Sequence, residues 1–337
     1  MRYSSPTKIE CSNTALNARA SFVPHLLHIF LICLFFNSCV RDKDIFIPNQ
    51  TLSIIPLNDQ EALGAFFGEI EPETSIFQFS SQNSGRISIG NILVDIPADA
   101  FLGEDGNPIN DTFAIELSDL SDTKGLLSQN MTLDQGDAYI SNLGAFGFNA
   151  SNNGEAVSLA EDQSIGVLIP FEGVSDPNIG VYELLEDSSS SKVWIPLQLP
   201  ISITEYLDES TENWKLAYYF QVDHLGKFVC GLEMSSEENV TNLCISLPEG
   251  YTSNNTRVYL ALEDQKTLIG LDWQGGYFCD ERVPIDVSGD LLVIAVSGDE
   301  TYRAATEFIQ TSPGFQLKNL EPIPYDLNEI LELIDNF

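Results

Sequence analysis

From Ile76 onward the sequence is a succession of short apolar segments separated by clusters of Gly, Asn, Asp and Pro. Such segments, with almost no helical periodicity among them, are typical of the strands and tight turns of a β-sandwich. The sequence therefore predicts an all-β fold. The predicted strands are Ile76–Phe79, Arg86–Ile96, Thr112–Leu117, Ala138–Asn149, Ser164–Ile169, Val181–Leu185, Lys192–Ile195, Trp214–Val222, Asn242–Leu247, Arg257–Leu262, Val283–Val287 and Leu291–Val296.

One helix is predicted at the C-terminus, after Pro322 and Pro324. Apolar residues recur there at helical spacing, and Asp326 stands three residues before Glu329, the arrangement of a capping box. We expect a short amphipathic helix over Leu327–Asp335 that packs on a sandwich edge. Its apolar residues are Leu327, Ile330, Leu331 and Ile334.

The N-terminus has the pattern of an export signal. Three basic residues and one Glu precede the apolar stretch Phe22–Phe36. As a helix, this stretch would reach only about 22 Å, short of the roughly 30 Å hydrocarbon core of a bilayer. A secretory signal is therefore favoured over a membrane span. The alternative is a buried core helix, which the lack of amphipathic sequence around it disfavours.

The residues that follow this stretch carry a resemblance. Asn37, Ser38 and Cys39 resemble the bacterial lipobox, with Phe36 where a Leu is usual. The resemblance implies cleavage before Cys39, lipid attachment to that residue, and an outer-membrane location. The next residues, 40–44, are similar to a diluted form of the acidic signal that directs some lipoproteins to the cell surface. Surface exposure is the favoured expectation, and the periplasmic face is the alternative.

The charge of the chain restricts its partners. The 337 residues include 15 Lys and Arg against 50 Asp and Glu, and a chain starting at Cys39 would keep 12 and 49, a net charge of −37. A polyanion of this kind repels phosphate backbones, and salt weakens the repulsion without reversing its sign. Nucleic acid is therefore excluded as an expected partner. The 43% hydrophobic content is nevertheless sufficient for a core.

A second resemblance is carried by residues between Gly90 and Pro170, namely Gly90, Ile92, Val94, Ile96, Pro97, Ala100, Phe101, the turn Asp105-Gly106-Asn107-Pro108, Gly154 and the segment Ile165–Pro170. These residues resemble the ZU5-like β-sandwich domain of bacterial surface lipoproteins. The resemblance covers about a quarter of the chain and implies a β-sandwich that serves as an interaction module.

These patterns predict tandem β-sandwich domains behind a lipoprotein signal peptide, because the 299 residues from Cys39 onward exceed the usual length of one domain. The segment around 61–67 is expected to form a strand or a short helix within the tether. The predicted boundaries are 1–38 for the signal peptide, 39–74 for a tether, 75–198 for the ZU5-like β-sandwich, 199–320 for a second β-sandwich-like domain and 321–337 for the C-terminal helix.

Few residues offer catalytic chemistry. His224 is the only histidine after residue 38, and the chain has no Gly-x-Ser-x-Gly motif and no phosphate-binding loop. We therefore expect neither catalysis nor a metal or cofactor. A calcium site in one acidic turn is a weaker alternative to a solvated hairpin turn, because its residues lack the spacing of a helix–loop–helix site. They are Glu104, Asp105, Asn107, Asn110 and Asp111.

Three cysteines follow Cys39, namely Cys230, Cys244 and Cys279. An oxidising envelope favours one disulfide and one cysteine left over, and the sequence leaves all three pairings open. Pairing of Cys230 with Cys244 is the favoured hypothesis, because both flank one connection between strands. The alternative is three unpaired, buried cysteines.

The predicted function is that of a non-catalytic cell-envelope lipoprotein, anchored to the membrane through Cys39, that acts as a surface interaction or scaffold module. The alternative is a glycan-binding module, whose aromatic side chains would stack on sugar rings if they faced solvent. The residues predicted for such stacking are Trp194, Trp214 and Trp273. The expected partner is thus an envelope protein or a glycan.

Overall fold

Most of the chain is built of antiparallel β-strands, which confirms the predicted all-β fold. The computed structural model describes residues 61–70, 72–186, 192–208, 210–234, 239–298, 301–335 and 337. The predicted signal peptide and lipid-bearing Cys39 lie outside the described residues. In the described part, no helix is long and apolar enough to cross a membrane.

The elements follow one another in the order of the chain, and we number them accordingly. The helices are α1 (Glu61–Gly68), α2 (Thr123–Ser128) and α3 (Leu327–Asp335). The strands are β1 (Thr74–Ser80), β2 (Gly85–Ile89), β3 (Ile92–Ile96), β4 (Phe101–Leu102), β5 (Thr112–Asp119), β6 (Tyr139–Asn152), β7 (Glu155–Ala156), β8 (Ser158–Leu159), β9 (Ile165–Pro170), β10 (Ile179–Glu186), β11 (Lys192–Leu197), β12 (Ser202–Asp208), β13 (Asn213–Val222), β14 (Gly226–Met234), β15 (Val240–Ser246), β16 (Thr256–Leu262), β17 (Thr267–Gln274), β18 (Tyr277–Pro284), β19 (Ser288–Val296), β20 (Tyr302–Gln310), β21 (Gln316–Asn319) and β22 (Ile323–Tyr325).

The first sandwich consists of two sheets that share one core. One sheet has the order β1-β5-β6-β14-β10-β11, with β7 paired to β6, and the other has the order β12-β13-β9-β3-β2. Alternate residues of both sheets point inward, as the period of a strand requires. The core therefore includes Val94 from β3, Val167 from β9, Phe148 from β6 and Phe228 from β14.

The second sandwich is a single eight-stranded sheet that curls on itself. Its order is β21-β15-β18-β17-β16-β19-β20-β22, with β21 parallel to β15. The ammonium group of Lys318 on β21 lies 3.1 Å from a carboxylate oxygen of Glu307 on β20, near the opposite edge. This contact brings the two edges together around an interior that includes Ile245, Leu260 and Val293.

A third core lies between the two sandwiches and includes residues of α1, α2 and α3. Trp194 of the first sandwich and Tyr259 of the second belong to this cluster, together with Phe66 from α1 and Ile330 from α3. The segment 61–70 is thus a packed helix and its flank, where the sequence allowed either a strand or a helix within a tether. Because so much apolar area is shared, the two sandwiches form one compact unit.

The C-terminal helix has the predicted bounds, Leu327–Asp335. Its capping box forms as expected: the Asp326 amide donates to the Glu329 carboxylate and the Glu329 amide donates to Asp326 Oδ1, both at 2.9 Å. Ile330 and Ile334 are buried in the core between the sandwiches, and the helix contacts α2 and β20.

Strand pairing places the change from the first sandwich to the second between Met234 and Val240. β12, β13 and β14 all follow the predicted domain boundary at residue 198, yet β13 pairs with β9 and β14 pairs with both β6 and β10. These strands therefore complete the first sandwich, and the second begins only with β15.

The predicted single strand Arg86–Ile96 is two strands in the structure. β2 and β3 pair with each other, so the chain reverses between them at Gly90 and Asn91. Gly90 has φ +53°, and a Cβ there would contact the Asp119 carboxylate unless that side chain moved. The left-handed backbone is the reason that the turn favours glycine. The apolar alternation changes phase across the turn, from Ile87 and Ile89 to Ile92 and Val94, and this change marks the reversal.

Candidate functional site

The β12–β13 hairpin forms one edge of the five-stranded sheet and carries different chemistry on its two faces. Leu207 stands opposite Trp214 and Tyr206 stands opposite Lys215 in the antiparallel register. Because successive side chains alternate between faces, the first pair lies on one side of the sheet and the second pair on the other. The two faces of the hairpin therefore present different side chains.

The first side is an exposed apolar patch, which we call the hairpin surface. Four large apolar side chains that share this face are between 40% and 69% exposed, and Trp214 is the most exposed of them. Glu205 stands opposite Leu216 on the same face and supplies a negative charge. Large apolar residues grouped in this way are typical of interaction sites. The hairpin surface consists of Ile203, Leu207, Trp214 and Leu216.

The hairpin surface extends past the core of the first sandwich. Tyr218, two residues after Leu216 on the same face, is buried, and its ring stacks on Phe171 with 4.3 Å between centroids. The Tyr218 hydroxyl also accepts a hydrogen bond from the Asp176 amide at 2.8 Å. The buried Tyr218 therefore fixes the base of the hairpin in the core. The exposed residues beyond it lie on a fixed scaffold.

β12 is also a free edge. It pairs with β13 on one side, and no strand pairs with its other side in the described part of the chain. An edge strand of seven residues offers backbone donors and acceptors to another extended chain. The apolar patch and the open edge are therefore adjacent.

The second side of the hairpin borders a groove of about 870 Å³ over the outer face of the five-stranded sheet. Tyr206, Leu93, Pro170 and Phe171 line it, together with polar side chains. Tyr206 packs with Leu168 and Ala217 in a small apolar cluster on this outer face. The floor of the groove is thus apolar although it lies outside the sandwich core.

Two ion pairs stand in or beside the groove. Arg86 binds Asp95 through two hydrogen bonds, Nε to Oδ1 at 2.6 Å and Nη2 to Oδ2 at 2.9 Å. Lys215 Nζ lies 2.6 Å from Asp208 Oδ2. The hydrogen bond from Lys215 lowers the pKa of Asp208 and raises the pKa of Lys215. Both residues of that pair therefore stay charged at neutral pH.

A smaller cavity of about 450 Å³ continues the groove towards the second sandwich. The two cavities share Asn91, Leu143 and Lys266 in their walls. Lys266 lies in the turn between β16 and β17, so the second sandwich contributes to a groove that is otherwise built on the first. The relative position of the sandwiches therefore determines the width of the groove.

The three tryptophans lie in three different environments. Trp194 is 1% exposed, and its indole N–H donates to the Thr132 carbonyl at 2.7 Å, so its predicted role in ligand stacking is wrong. Trp273 is half-buried against Phe278 in the second sandwich, with 5.0 Å between ring centroids. Trp214 is 69% exposed on the first sandwich. No two of the three form a shared platform.

The favoured disulfide pairing was wrong. Cys244 and Cys279 stand opposite each other on β15 and β18, their Cα atoms are 4.1 Å apart, and their sulfurs are bonded. Cys230 is a free, buried residue of the core of the first sandwich, where burial raises the pKa of its thiol to about 12. It belongs to β14 and lies in a different sheet from Cys244. The three cysteines in the described residues therefore form one disulfide and leave one thiol unpaired.

His224 lies between two carboxylates. Its Nδ1 is 2.7 Å from Asp223 Oδ1, and its Nε2 is 2.7 Å from Glu183 Oε1. Partial burial alone would lower the pKa of His224, but the hydrogen bonds to Asp223 and Glu183 outweigh it and raise the pKa. The Nε2 contact with Glu183 therefore holds the β13–β14 connection to β10, and Nδ1 binds within the connection itself.

The acidic turn weighed for calcium forms a local hydrogen-bonded structure. Both Asp105 oxygens accept hydrogen bonds from Asn107, one from its backbone amide at 3.0 Å and one from its side-chain amide at 2.8 Å. These bonds lower the pKa of Asp105. Among the described residues, no group of three or more His, Cys, Asp or Glu side chains is arranged to hold a metal ion.

β12 was not among the predicted strands, and Tyr206 and Asp208 of the groove were missed with it. The strand signal in Ser202–Asp208 (SITEYLD) is weak. Ile203 alternates with polar residues, but Tyr206 and Leu207 place apolar side chains in both alternating sets, so the segment lacks the clean alternation of a half-buried strand.

Comparisons with known proteins give no family for this chain. No protein-family model and no curated protein sequence matches it. Two solved structures show a distant likeness. One is a γ-CGTase from an alkalophilic Bacillus clarkii, with 10% identity and a TM-score of 0.19 over 71% of this chain and 41% of that one. The other is the TIE protein of Bacillus anthracis, with 9% identity and a TM-score of 0.18 over 75% of this chain. The chain spans about two fifths of the length of each.

Proposed function

We propose that this protein is a non-catalytic lipoprotein of the bacterial outer surface that binds a protein partner through the hairpin surface. The observation that carries the proposal is the grouping of Ile203, Leu207, Trp214 and Leu216 beside the free edge of β12. Protein recognition commonly uses an exposed apolar patch with a large aromatic anchor. An adjacent sheet edge adds backbone hydrogen bonds.

The expected partner presents apolar side chains within a basic surround. Glu205 lies within the hairpin surface, and the whole chain has a net charge of −35. An acidic partner would be repelled over the full approach, whereas Lys and Arg side chains around an apolar centre would be attracted. This argument also disfavours self-association of the protein.

The anchoring part of the proposal rests on the N-terminal sequence. The stretch Phe22–Phe36 followed by Ser38 and Cys39 resembles a lipoprotein signal, and the ZU5-like pattern is similar to surface lipoproteins. If Cys39 carries lipid, cells fed labelled fatty acid will label the wild type and will not label Cys39→Ala. Equal labelling of both proteins would refute the anchor.

The non-catalytic part is supported by the state of His224. Both of its ring nitrogens already bind carboxylates, so neither is directed at a nucleophile. No cofactor forms part of the proposal. Hydrolysis of any envelope polymer by the purified protein would contradict it.

Crosslinking on intact cells tests the binding function directly. The test compares Trp214→Ser with Phe308→Ser, because Trp214 and Phe308 are 69% and 66% exposed and lie on different sandwiches. We expect the wild type and Phe308→Ser to capture the same protein, and Trp214→Ser to capture at least tenfold less, because a central aromatic contributes about 2 kcal/mol or more to an interface. Equal capture by all three proteins would refute the role of the hairpin surface.

A further inference from the structure

We propose that the groove over the outer face of the five-stranded sheet binds a short, neutral carbohydrate. Most of its lining lies on the opposite face of the β12–β13 hairpin from Trp214, and Leu207 is the one residue of the hairpin surface that also lines the groove. The groove also uses none of the three tryptophans. The proposal can therefore be tested separately from the protein-binding function.

The size of the groove suits a short oligosaccharide. Its volume of about 870 Å³ lies within the range of roughly 300–1,000 Å³ that is usual for small-molecule sites. The adjoining cavity of about 450 Å³, reached past Asn91 and Leu143, extends it in one direction. An elongated ligand of a few sugar units fits this shape better than a single compact molecule.

The floor of the groove offers apolar and aromatic surface to the C–H faces of sugar rings. Leu93, Pro170 and Phe171 are partly exposed in the lining, whereas Tyr206 is 7% exposed and contributes little surface of its own. Each ring is held in place: Tyr206 packs on Leu168, and Phe171 stacks on Tyr218. A rigid apolar floor loses little conformational entropy when a ligand covers it.

Gly166 contributes to the shape of this outer face. A Cβ at Gly166 would lie 2.9 Å from the Tyr219 ring and 3.3 Å from Asp95 Cβ. The absence of a side chain therefore allows Tyr219 to lie across β9 towards Asp95. No side chain therefore protrudes from the outer face of the sheet at Gly166, next to Asp95 of the Arg86–Asp95 pair.

The polar groups suit hydroxyl groups, which both donate and accept hydrogen bonds. The Arg86–Asp95 and Lys215–Asp208 pairs each place a donor beside an acceptor. Asp208 is fixed further by Ser210, whose amide and hydroxyl donate to Oδ1 at 3.0 and 2.7 Å. A sugar with vicinal hydroxyls can bridge such a pair without reorganising it.

The charge of the groove indicates a neutral ligand. The cations Arg86 and Lys215 are neutralised by their partners, and the exposed Lys266 is balanced by Glu172 in the same lining. An anionic ligand would gain no net local attraction and would still be repelled by a chain of net charge −35. A neutral polyol is not repelled by the charge of the chain and does not depend on a net local charge for its binding.

The test is calorimetric titration of the protein with cellotriose, mannotriose and tri-N-acetylchitotriose, and with trigalacturonate as the charged probe. We expect at least one neutral trisaccharide to bind with a dissociation constant below 1 mM, and trigalacturonate to bind at least tenfold more weakly. Binding of trigalacturonate alone, or of no trisaccharide at all up to 10 mM, would overturn the proposal.

Variants then locate the site. Lys215→Met and Arg86→Met are each expected to weaken the binding at least tenfold. Lys318→Met is the matched control, because Lys318 forms a comparably exposed ion pair with Glu307 on the second sandwich. Trp214→Ser is expected to leave trisaccharide binding unchanged. Loss of binding in Lys318→Met or Trp214→Ser, or its retention in both groove variants, would place the ligand elsewhere and overturn the proposal.

Discussion

Arg282 on β18 binds Asp134, which precedes β6, through two parallel hydrogen bonds: Nη1 to Oδ1 at 3.0 Å and Nη2 to Oδ2 at 2.7 Å. The same guanidinium donates to Asp280 at 3.0 Å and to the Tyr139 hydroxyl at 3.1 Å. The Tyr139 hydroxyl in turn donates to Asp280 at 2.5 Å. One cation of the second sandwich thus holds a carboxylate and a phenol of the first.

We predict that Arg282→Ala lowers the free energy of unfolding by about 3 kcal/mol, because it leaves Asp280, which is 5% exposed, without its cation. Arg86→Ala is the control. It breaks the exposed Arg86–Asp95 pair, so the loss should stay below about 1 kcal/mol. Urea denaturation measures both. A loss for Arg282→Ala no larger than that for Arg86→Ala would show that the cluster does not stabilise the fold.

The Cys244–Cys279 disulfide closes a loop with a sequence separation of 35 residues. Replacing both cysteines by serine should cost about 4 kcal/mol on the chain-entropy account of disulfide stabilisation. Cys230→Ala should leave the disulfide intact. Peptide mapping without reduction checks the pairing, and urea denaturation checks the cost. A peptide containing Cys230 linked to either of the other two cysteines would contradict the structure.

Trp194 and Trp214 are predicted to differ strongly in their effect on stability. Trp194→Ala should cost about 3–5 kcal/mol, because it opens a cavity in the core between the sandwiches and leaves the Thr132 carbonyl without the indole donor. Trp214→Ala should change stability by less than about 1 kcal/mol, because this ring is 69% exposed. Thermal unfolding compares the two. Similar losses would contradict the assignment of one ring to the core and the other to the surface.

The contacts of His224 predict a pH dependence of stability. Its pKa is raised in the folded protein, so protonated His224 stabilises the fold fully below its unfolded pKa of about 6.5. This contribution should disappear as the pH rises through the folded pKa. The control is His224→Gln, which lacks the titrating group. The difference in free energy of unfolding between wild type and His224→Gln should shrink from pH 6 to pH 9, and a constant difference would be evidence against the proposed ion pairs.

Local sequence signals were sufficient for some elements of the fold. The helix Leu327–Asp335 was predicted to the residue, because its capping box and its apolar spacing act within ten residues of chain. The predicted strand Ala138–Asn149 also agrees closely with the observed β6, Tyr139–Asn152. In both cases the information that defines the element lies inside the element.

Other elements depend on distant parts of the chain. β12 and β14 were missed because a strand with apolar residues on both faces, or with Gly and Cys in its centre, lacks a clean alternation. Each is stabilised by pairing with a neighbouring strand. The partner of Cys244 was missed for the same reason, since β15 and β18 become neighbours only when the second sandwich closes.

Local sequence patterns likewise predict only part of the candidate site. Alternation indicates that Trp214 and Leu216 share a face of β13, but it does not indicate where that face leaves the core. The core ends at Tyr218, and the two residues before it on that face are therefore exposed. The groove depends on a turn of the second sandwich at Lys266, which no local pattern relates to β12.

The shared core between the sandwiches includes Phe66 from the first described helix and Ile330 from the last. Lys124 on α2 also contacts Asp335, at 2.6 Å, near the end of the chain. A chain without α3 cannot complete this core. Removal of α3 should therefore destabilise both sandwiches together.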